Sequence, residues 1–283
     1  WKSHSGESNS KISSNIFRKH IMKFHFYKYQ GTGNDFILAD NRTKEYSSLT
    51  TEQIHRLCLR RFGIGADGLM LLNEKDGFDF EMKYFNADGK EGSMCGNGGR
   101  CIVKFAYHLG IHKEKYRFLA SDGAHEAEID TNGIVSLKMN DVKNIRKFHN
   151  DFILDTGSPH YIKLSSNVME MDVFKKGYEI RHSKEFEEEG INVNFVEQLE
   201  AVDKIIVRTF ERGVEDETFS CGTGVTAAAL VCYHNENGFN EVEAKTLGGK
   251  LSVEFDRLDD SRYENIWLCG PAEKVYEGTV QVK

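Results

Sequence analysis

At 283 residues the chain is long for one hydrophobic core and comfortable for two domains of ordinary size. Hydrophobic residues at 39% and aromatics at 11% suffice to fill such cores, while a net charge of −7 and a pI near 5.9 argue against a nucleic-acid partner, which calls for a basic face. The longest apolar run, Val225 to Tyr233, is about half of the roughly 18 residues a membrane span needs, so the composition reads as a soluble protein without a membrane role.

Residues 1–21, WKSHSGESNSKISSNIFRKHI, are rich in Ser, Asn and Lys and lack the continuous apolar core of a secretory signal. They read as an upstream tail; a transit peptide fits less well because Glu7 is present. Met22 then opens MKFHFYKYQG, which alternates like a strand. Thr50 and Gln53 form a capping-box pair that predicts a helix from Thr51 to Arg61, stopped by Gly63. FDFEMKYFNADG places Phe78, Phe80, Met82 and Tyr84 on one face before the turn at Asp88-Gly89. Further strand-like stretches are YRFLASDG, GIVSLKMN, DFILDTGSPHYIKL, KIIVRTFERG, GGKLSVEFD and NIWLCGPAEKVYEG, and a short helix is expected from Val168 to Lys176, ended by Gly177.

Two segments share one arrangement. Residues 94–106 read MCGNGGRCIVKFA and residues 219–231 read FSCGTGVTAAALV; each puts a cysteine before a Gly-x-Gly turn that runs into a helix-competent segment. The helices are expected from Gly98 to Leu109, stopped by Gly110, and from Gly224 to His234, stopped by Asn235. The second is apolar nearly all round, which means burial rather than a surface stripe. The repeat suggests two α/β halves, each a curled antiparallel sheet around one buried helix.

Six cysteines spread over a long chain do not resemble a secreted disulfide scaffold, and no Cys-x-x-Cys occurs. Cys95 and Cys101 are too far apart for a zinc knuckle, so no metal is expected and the thiols read as reduced and cytosolic. Cys58, Cys101, Cys232 and Cys269 fall within helix or strand patterns and read as packing residues.

Cys95 and Cys221 stand at helix mouths instead. The first-turn N–H groups lack intrahelical partners and carry partial positive charge, which favours a thiolate and makes a ready cradle for a carboxylate or phosphate. Two such mouths facing each other would grip one carboxylate and set a thiol on either side of the adjacent carbon. That suits inversion: one thiolate removes the α-proton and the opposite thiol returns one to the other face. Converging helix N-termini would stabilise the developing negative charge without a metal or an imine-forming cofactor.

GTGNDFILAD, RRFGIGADGL, FNADGKEGSMCGNGGRC, GSPHYI, ERG followed by ETFSCGTG, and the closing GPAEKVYEG together resemble the diaminopimelate epimerase family, in its order and over essentially all of Met22 to Lys283. The resemblance implies an α/β fold of the α+β type with two pseudo-symmetric domains, each a curled mainly antiparallel sheet around a buried central helix, and an active site in the cleft between them. The domains would span 22–139, completed by 271–283, and 140–270. It also implies pyridoxal-independent interconversion of L,L- and meso-2,6-diaminopimelate, no cofactor, a cytoplasmic location and a homodimer.

By the same resemblance Cys95 and Cys221 are the acid/base pair, with His160 and Glu211 as polar groups beside them. Asn34 in GNDF, Asn86 in FNADG and Asn192 in INVNF match substrate contacts. Gly96 and Asn97 would serve behind Cys95, Gly222 and Thr223 behind Cys221, and Glu211 with Arg212 would engage substrate. Ser158 stands where many relatives have Asn, and Gly68 where many have Gln, so a contact there is lost or supplied elsewhere. Asp216 and Glu217 in a lengthened loop would raise the Cys221 pKa if they point inward. Competing readings are a proline or hydroxyproline racemase, a cysteine hydrolase using Cys221 and His160, and a non-catalytic anion-binding module.

Overall fold

The alternation of MKFHFYKYQG folds as expected. In the structure, a computed structural model that describes residues 22–199, 203–232 and 237–283, this segment is strand β1 (Met22–Gly31). The expected tail at 1–21 and the far end of the second buried helix, His234 with the stop at Asn235, lie outside the described residues.

The first half continues with β2 (Asn34–Asp40), α1 (Thr51–Cys58), β3 (Gly68–Asn73), β4 (Phe80–Asn86) and α2 (Gly96–His108). It closes with β5 (Lys115–Ala120), β6 (Gly123–Ile129) and β7 (Val135–Lys138). The second half runs through β8 (Arg146–Phe148), β9 (Asp151–Asp155), β10 (Pro159–Leu164), a 3-10 turn (Val168–Glu170), α3 (Val173–Arg181) and β11 (Asn192–Gln198). Then come β12 (Lys204–Glu211), β13 (Asp216–Thr218), α4 (Gly222–Val231), β14 (Gly238–Thr246), β15 (Gly249–Arg257) and β16 (Tyr263–Gly270). Finally β17 (Glu273–Val282) returns to pair antiparallel with β1.

The pairing repeats. From β1 to β7 successive neighbours pair antiparallel, parallel, antiparallel, parallel, antiparallel and antiparallel. The series β9, β10, β11, β12, β14, β15, β16 repeats those directions in that order. The last strands of the two series, β7 and β16, pair with each other, Leu137 opposite Leu268, and join the halves.

Each half holds one helix inside its sheet and one outside. α2 packs against β1, β2, β3, β6, β7 and β17, and α4 against β9 to β12 and β14 to β16. Along β2 the strand period divides the side chains: Phe36 and Leu38 join the central core, while Ile37 and Ala39 join the outer layer under α1 with Ile54 and Leu57. In the second half Val193, Phe195 and Phe210 form the matching outer layer under α3. The apolar α4 is buried along nearly its whole length, which explains a helix with no polar face.

Two expected helices differ in extent. α1 keeps its capping box but ends at Cys58, because the Leu57 carbonyl accepts the N–H groups of Ile64 and Gly65 and turns the chain back. The expected helix at 168–176 is a 3-10 turn followed by α3, which runs through Gly177. Gly177 is not a stop: a methyl group there would lie 2.3 Å from Cβ of Phe210, so glycine lets α3 sit close against β12.

Candidate active site

Cys95 and Cys221 are the N-cap residues of α2 and α4, with φ/ψ of −106°/134° and −108°/112°. Neither side chain caps its own helix. Their carbonyls open the helices by accepting from the N–H groups of Gly99 at 2.7 Å and Val225 at 2.9 Å. The N–H groups of Asn97 and Gly98 at Cys95, and of Gly224 at Cys221, make no capping hydrogen bond to the sulfur but act on it in favour of the thiolate. Both helices begin at the residue after the cysteine, two residues earlier than Gly98 and Gly224.

The two mouths meet. A methyl group on Gly96 would lie 3.7 Å from Cα of Gly222, and one on Gly222 would lie 3.5 Å from Cα of Gly96. Both would press on Leu268 of β16, at 3.1 and 2.8 Å. Glycine at both positions is what allows two helix N-termini to approach almost backbone to backbone.

On the Cys95 side, Asn97 is buried and donates to the Ser220 carbonyl at 2.8 Å, bridging the halves. Its Oδ1 accepts from Arg100 at 3.0 Å and from Thr32 at 3.4 Å. Asn34, at the start of β2, presents Oδ1 to the Cys95 thiol at 3.7 Å and to Asn97 Nδ2 at 3.5 Å, while its Nδ2 donates to Asp67.

On the Cys221 side, Thr223 Oγ1 lies 3.4 Å from the sulfur and 2.9 Å from His160 Nε2. His160 is fully buried. Asn194 Nδ2, oriented by the Tyr161 carbonyl, donates to His160 Nδ1 at 3.0 Å. The ring proton therefore sits on Nε2 and points at Thr223 and Ser158, which leaves the Thr223 hydroxyl proton free to face Cys221. Burial and the nearby Arg212 push the His160 pKa down to about 3, so the ring is neutral.

Ser158 Oγ contacts His160 at 3.0 Å and Thr223 at 3.3 Å, and accepts from Asn192 at 3.2 Å. The shorter side chain is thus absorbed into the network around Cys221. Asn192 is buried and fully engaged: it also donates to the Pro159 carbonyl and accepts the Arg212 N–H at 2.9 Å. Asn86, at the exposed end of β4, makes no side-chain hydrogen bond to the described residues. Glu211 and Arg212 make no ion pair with each other; Glu211 accepts from Thr218 at 3.0 Å and the Arg212 guanidinium donates to the Glu189 carbonyl at 2.9 Å.

Protonation departs from the expectation of depressed thiol pKa values. Burial pushes Cys95 up and Cys221 up to about 12, against the opposing N–H groups at each mouth. A helix N-terminus contributes roughly 0.3–2 kcal/mol, at most about 1.5 pKa units, whereas burial shifts a group by up to about 3–5. The like charge near both sulfurs is Glu211, itself raised by burial, and not Asp216 or Glu217. Asp216 is exposed, and Glu217 is held by Arg208 through two contacts of 2.6 Å. The other four cysteines are buried free thiols, in keeping with packing roles.

The residues of a family model described as diaminopimelate epimerase match this chain over 26–145 and 152–275, which includes both cysteine mouths. The diaminopimelate epimerase of Flavobacterium psychrophilum is 48% identical over 90% of this chain and 99% of its own length. That of Chlorobaculum tepidum is 46% identical over 88% of this chain and 98% of its own. The chain belongs to the diaminopimelate epimerase family.

Solved structures share the fold at much lower identity. A Bacillus anthracis phenazine biosynthesis protein of the PhzF family superposes with a TM-score of 0.71 at 16% identity, covering 91% of this chain and 99% of that one. A hydroxyproline epimerase from Agrobacterium vitis gives 0.62 at 11%, covering 92% and 93%. The fold is therefore wider than the diaminopimelate epimerase family.

Around this family member's cysteines stand residues that the sequence did not single out for the site: Thr32, Arg60, Asp67, Tyr84, Arg100 and Asn194. Only the structure places them there, because contacts such as Asn34–Asp67, Thr32–Arg100 and His160–Asn194 join positions more than 30 residues apart. Tyr84 occupies the space of a side chain at position 68; a methyl group on Gly68 would lie 2.5 Å from its ring and 2.9 Å from its hydroxyl. That hydroxyl has no hydrogen-bond partner among the described residues. Among the described residues no group of three or more His, Cys, Asp or Glu converges as a metal site would, and no helix is long and apolar enough to cross a membrane. A 670 Å³ surface depression lined by Lys44, Glu74, Lys75, Glu81 and Lys83 contains neither cysteine.

Proposed function

We propose that the protein interconverts L,L- and meso-2,6-diaminopimelate by a two-base mechanism without pyridoxal phosphate, with Cys95 and Cys221 as the acid/base pair. The meeting of two helix N-termini, each with a cysteine at its N-cap, carries this reading. One sulfur, as thiolate, takes the α-hydrogen as a proton; the electron pair stays on carbon and spreads into the adjacent carboxylate. The opposite thiol then gives its proton to the other face. The pair ends with its protonation exchanged and carbon inverted.

The substrate α-carboxylate sits on the N–H groups of Gly96, Asn97, Gly222 and Thr223, where preorganised donors stabilise the developing charge. Asn34, Ser158 and Thr223 line the reacting end. Glu211, the charge that acts on both sulfurs, meets the reacting end of the substrate. Asn86 and Arg212 hold the second amino-acid end, Asn192 fixing the Arg212 backbone, and Arg212 has no carboxylate partner among the described residues. His160, neutral and facing Thr223, orients that hydroxyl and is not a general base. The halves 22–139 with 271–283 and 140–270 are the two domains, and closing them excludes water from the reacting carbon.

The same reading takes the protein to be a cytoplasmic homodimer; light scattering on the purified protein tests the dimer. Substrate choice is tested by offering L,L-diaminopimelate and L-proline in parallel. Turnover of the first with little of the second is the expected result. Comparable rates would overturn the substrate assignment while leaving the thiol pair intact.

A further inference from the structure

Asn34 carries a carboxamide whose two ends have opposite hydrogen-bonding character, and the end facing Cys95 decides what that sulfur meets. Asp67, in the loop between α1 and β3, accepts from Asn34 Nδ2 and from the Asp35 N–H at 3.1 Å. Its other oxygen is held by Arg60 at 2.9 Å, and Arg60 in turn grips Asp35 at 2.6 and 3.0 Å. Asp35 is further anchored by the buried Lys28 at 2.8 Å. A carboxylate can only accept. It therefore draws the amide NH2 towards itself and leaves Oδ1 on the opposite side, 3.7 Å from the Cys95 sulfur and 3.5 Å from Asn97 Nδ2.

We propose that Asp67 is a positioning residue for the thiol pair: it locks the Asn34 amide so that a hydrogen-bond acceptor, and not a donor, faces Cys95. This rests on the two-thiol reading above. An acceptor favours the protonated sulfur, whereas a turned amide would place N–H against it and favour the thiolate. At the other mouth the Thr223 hydroxyl, receiving from His160, offers Cys221 a donor. The side chains facing the two sulfurs thus have opposite polarity, while backbone N–H groups act on both, which suits a pair that must enter the reaction as one thiol and one thiolate. Other groups acting on Cys95 are Arg100 and Cys101 on α2, Tyr84 on β4, Glu211 on β12, Cys221 at the other mouth, and the N–H groups of Asn97 and Gly98; Tyr84 and Glu211 also feel the Asp67 charge, which both variants below remove alike.

The test separates orientation from charge. Asp67→Asn and Asp67→Leu both remove the negative charge, but only asparagine keeps an acceptor for Asn34 Nδ2. Epimerisation should fall on the order of tenfold in Asp67→Leu and recover most of that loss in Asp67→Asn. Asn34→Leu combined with Asp67→Leu should be no slower than Asn34→Leu alone, because Asp67 acts through Asn34. Multiplying losses, or equal losses in the Asn and Leu variants, would overturn the proposal.

A second readout does not depend on turnover. In a Cys221→Ser background, Cys95 alkylation should have its pH inflection lower in Asp67→Leu than in Asp67→Asn, since the freed amide can donate to the sulfur. Identical inflections in the two variants would overturn the proposal even if the protein turned over a different amino acid. A protein without any epimerase activity but with separated inflections would instead overturn the proposed epimerisation and leave the positioning of Asn34 by Asp67 standing.

Discussion

The mouths of α2 and α4 share one backbone and differ in nearly every polar side chain around it. At both, an N-cap cysteine in extended conformation is followed by a glycine that touches its counterpart. Five residues on, the same job is done by different groups: Arg100 donates to the Gly96 carbonyl at 3.2 Å and Thr226 to the Gly222 carbonyl at 3.0 Å. Two residues on, Asn97 is oriented by a buried cation, whereas Thr223 is oriented by a neutral histidine. In the proposed inversion, symmetry would supply matching N–H cradles for one carboxylate. Asymmetry would let two otherwise equivalent thiols differ in protonation, as a two-base mechanism needs at every turnover.

Removing either sulfur breaks the comparison most severely. Cys95→Ala and Cys221→Ala should each lower inversion by about 10²–10⁴-fold, the usual range for a lost acid or base, as measured by turnover of L,L-diaminopimelate. Full activity in Cys95→Ala would favour a single-cysteine chemistry. Next comes the contact between the mouths. Gly222→Ala drives a methyl group to 2.8 Å from Leu268 and should cost on the order of 100-fold in turnover through displaced helix ends. Adding Leu268→Ala should return part of that loss, since the obstructing atom is a side-chain methyl; no recovery would mean the backbone contact dominates.

The neutral histidine sharpens the contrast through stability. Its folded pKa near 3 lies below the ordinary value near 6.5, so its contribution is fully present above that value and is lost as pH falls from about 6.5 towards 3. The wild-type protein should lose up to about 1.4 kcal/mol per pH unit there from this group. His160→Gln should flatten that acid limb in urea titrations at several pH values; an unchanged slope would mean His160 is charged when folded. The smallest effect belongs to Tyr84, whose hydroxyl, without a hydrogen-bond partner among the described residues, fills the space beside Gly68. Tyr84→Phe should raise KM a few-fold, about what one hydrogen bond contributes, with kcat unchanged.

Much of this was legible in the chain. The cysteine–glycine repeat located both mouths, and the apolar VTAAALV segment announced a buried helix. Local signals fared worse where tertiary contacts decide. Gly177 looks like a helix stop but is a packing position against Phe210, and the thiols look activated by their helices until burial is weighed. Asp67 and Arg100 lie inside quoted motifs, but their roles were not legible because their partners Asn34 and Thr32 lie in other strands and turns. Asn192, readable as a substrate contact, is tied on three sides to Ser158, Pro159 and Arg212.

The most direct test follows the α-proton by NMR, with reduced protein and L,L-diaminopimelate in D2O and no added cofactor. Solvent deuterium at the inverted α-carbon of meso product, lost when either Cys95 or Cys221 is replaced, is the expected result. Inversion without deuterium entering, or no inversion with both thiols titrating as free, would contradict the two-thiol account.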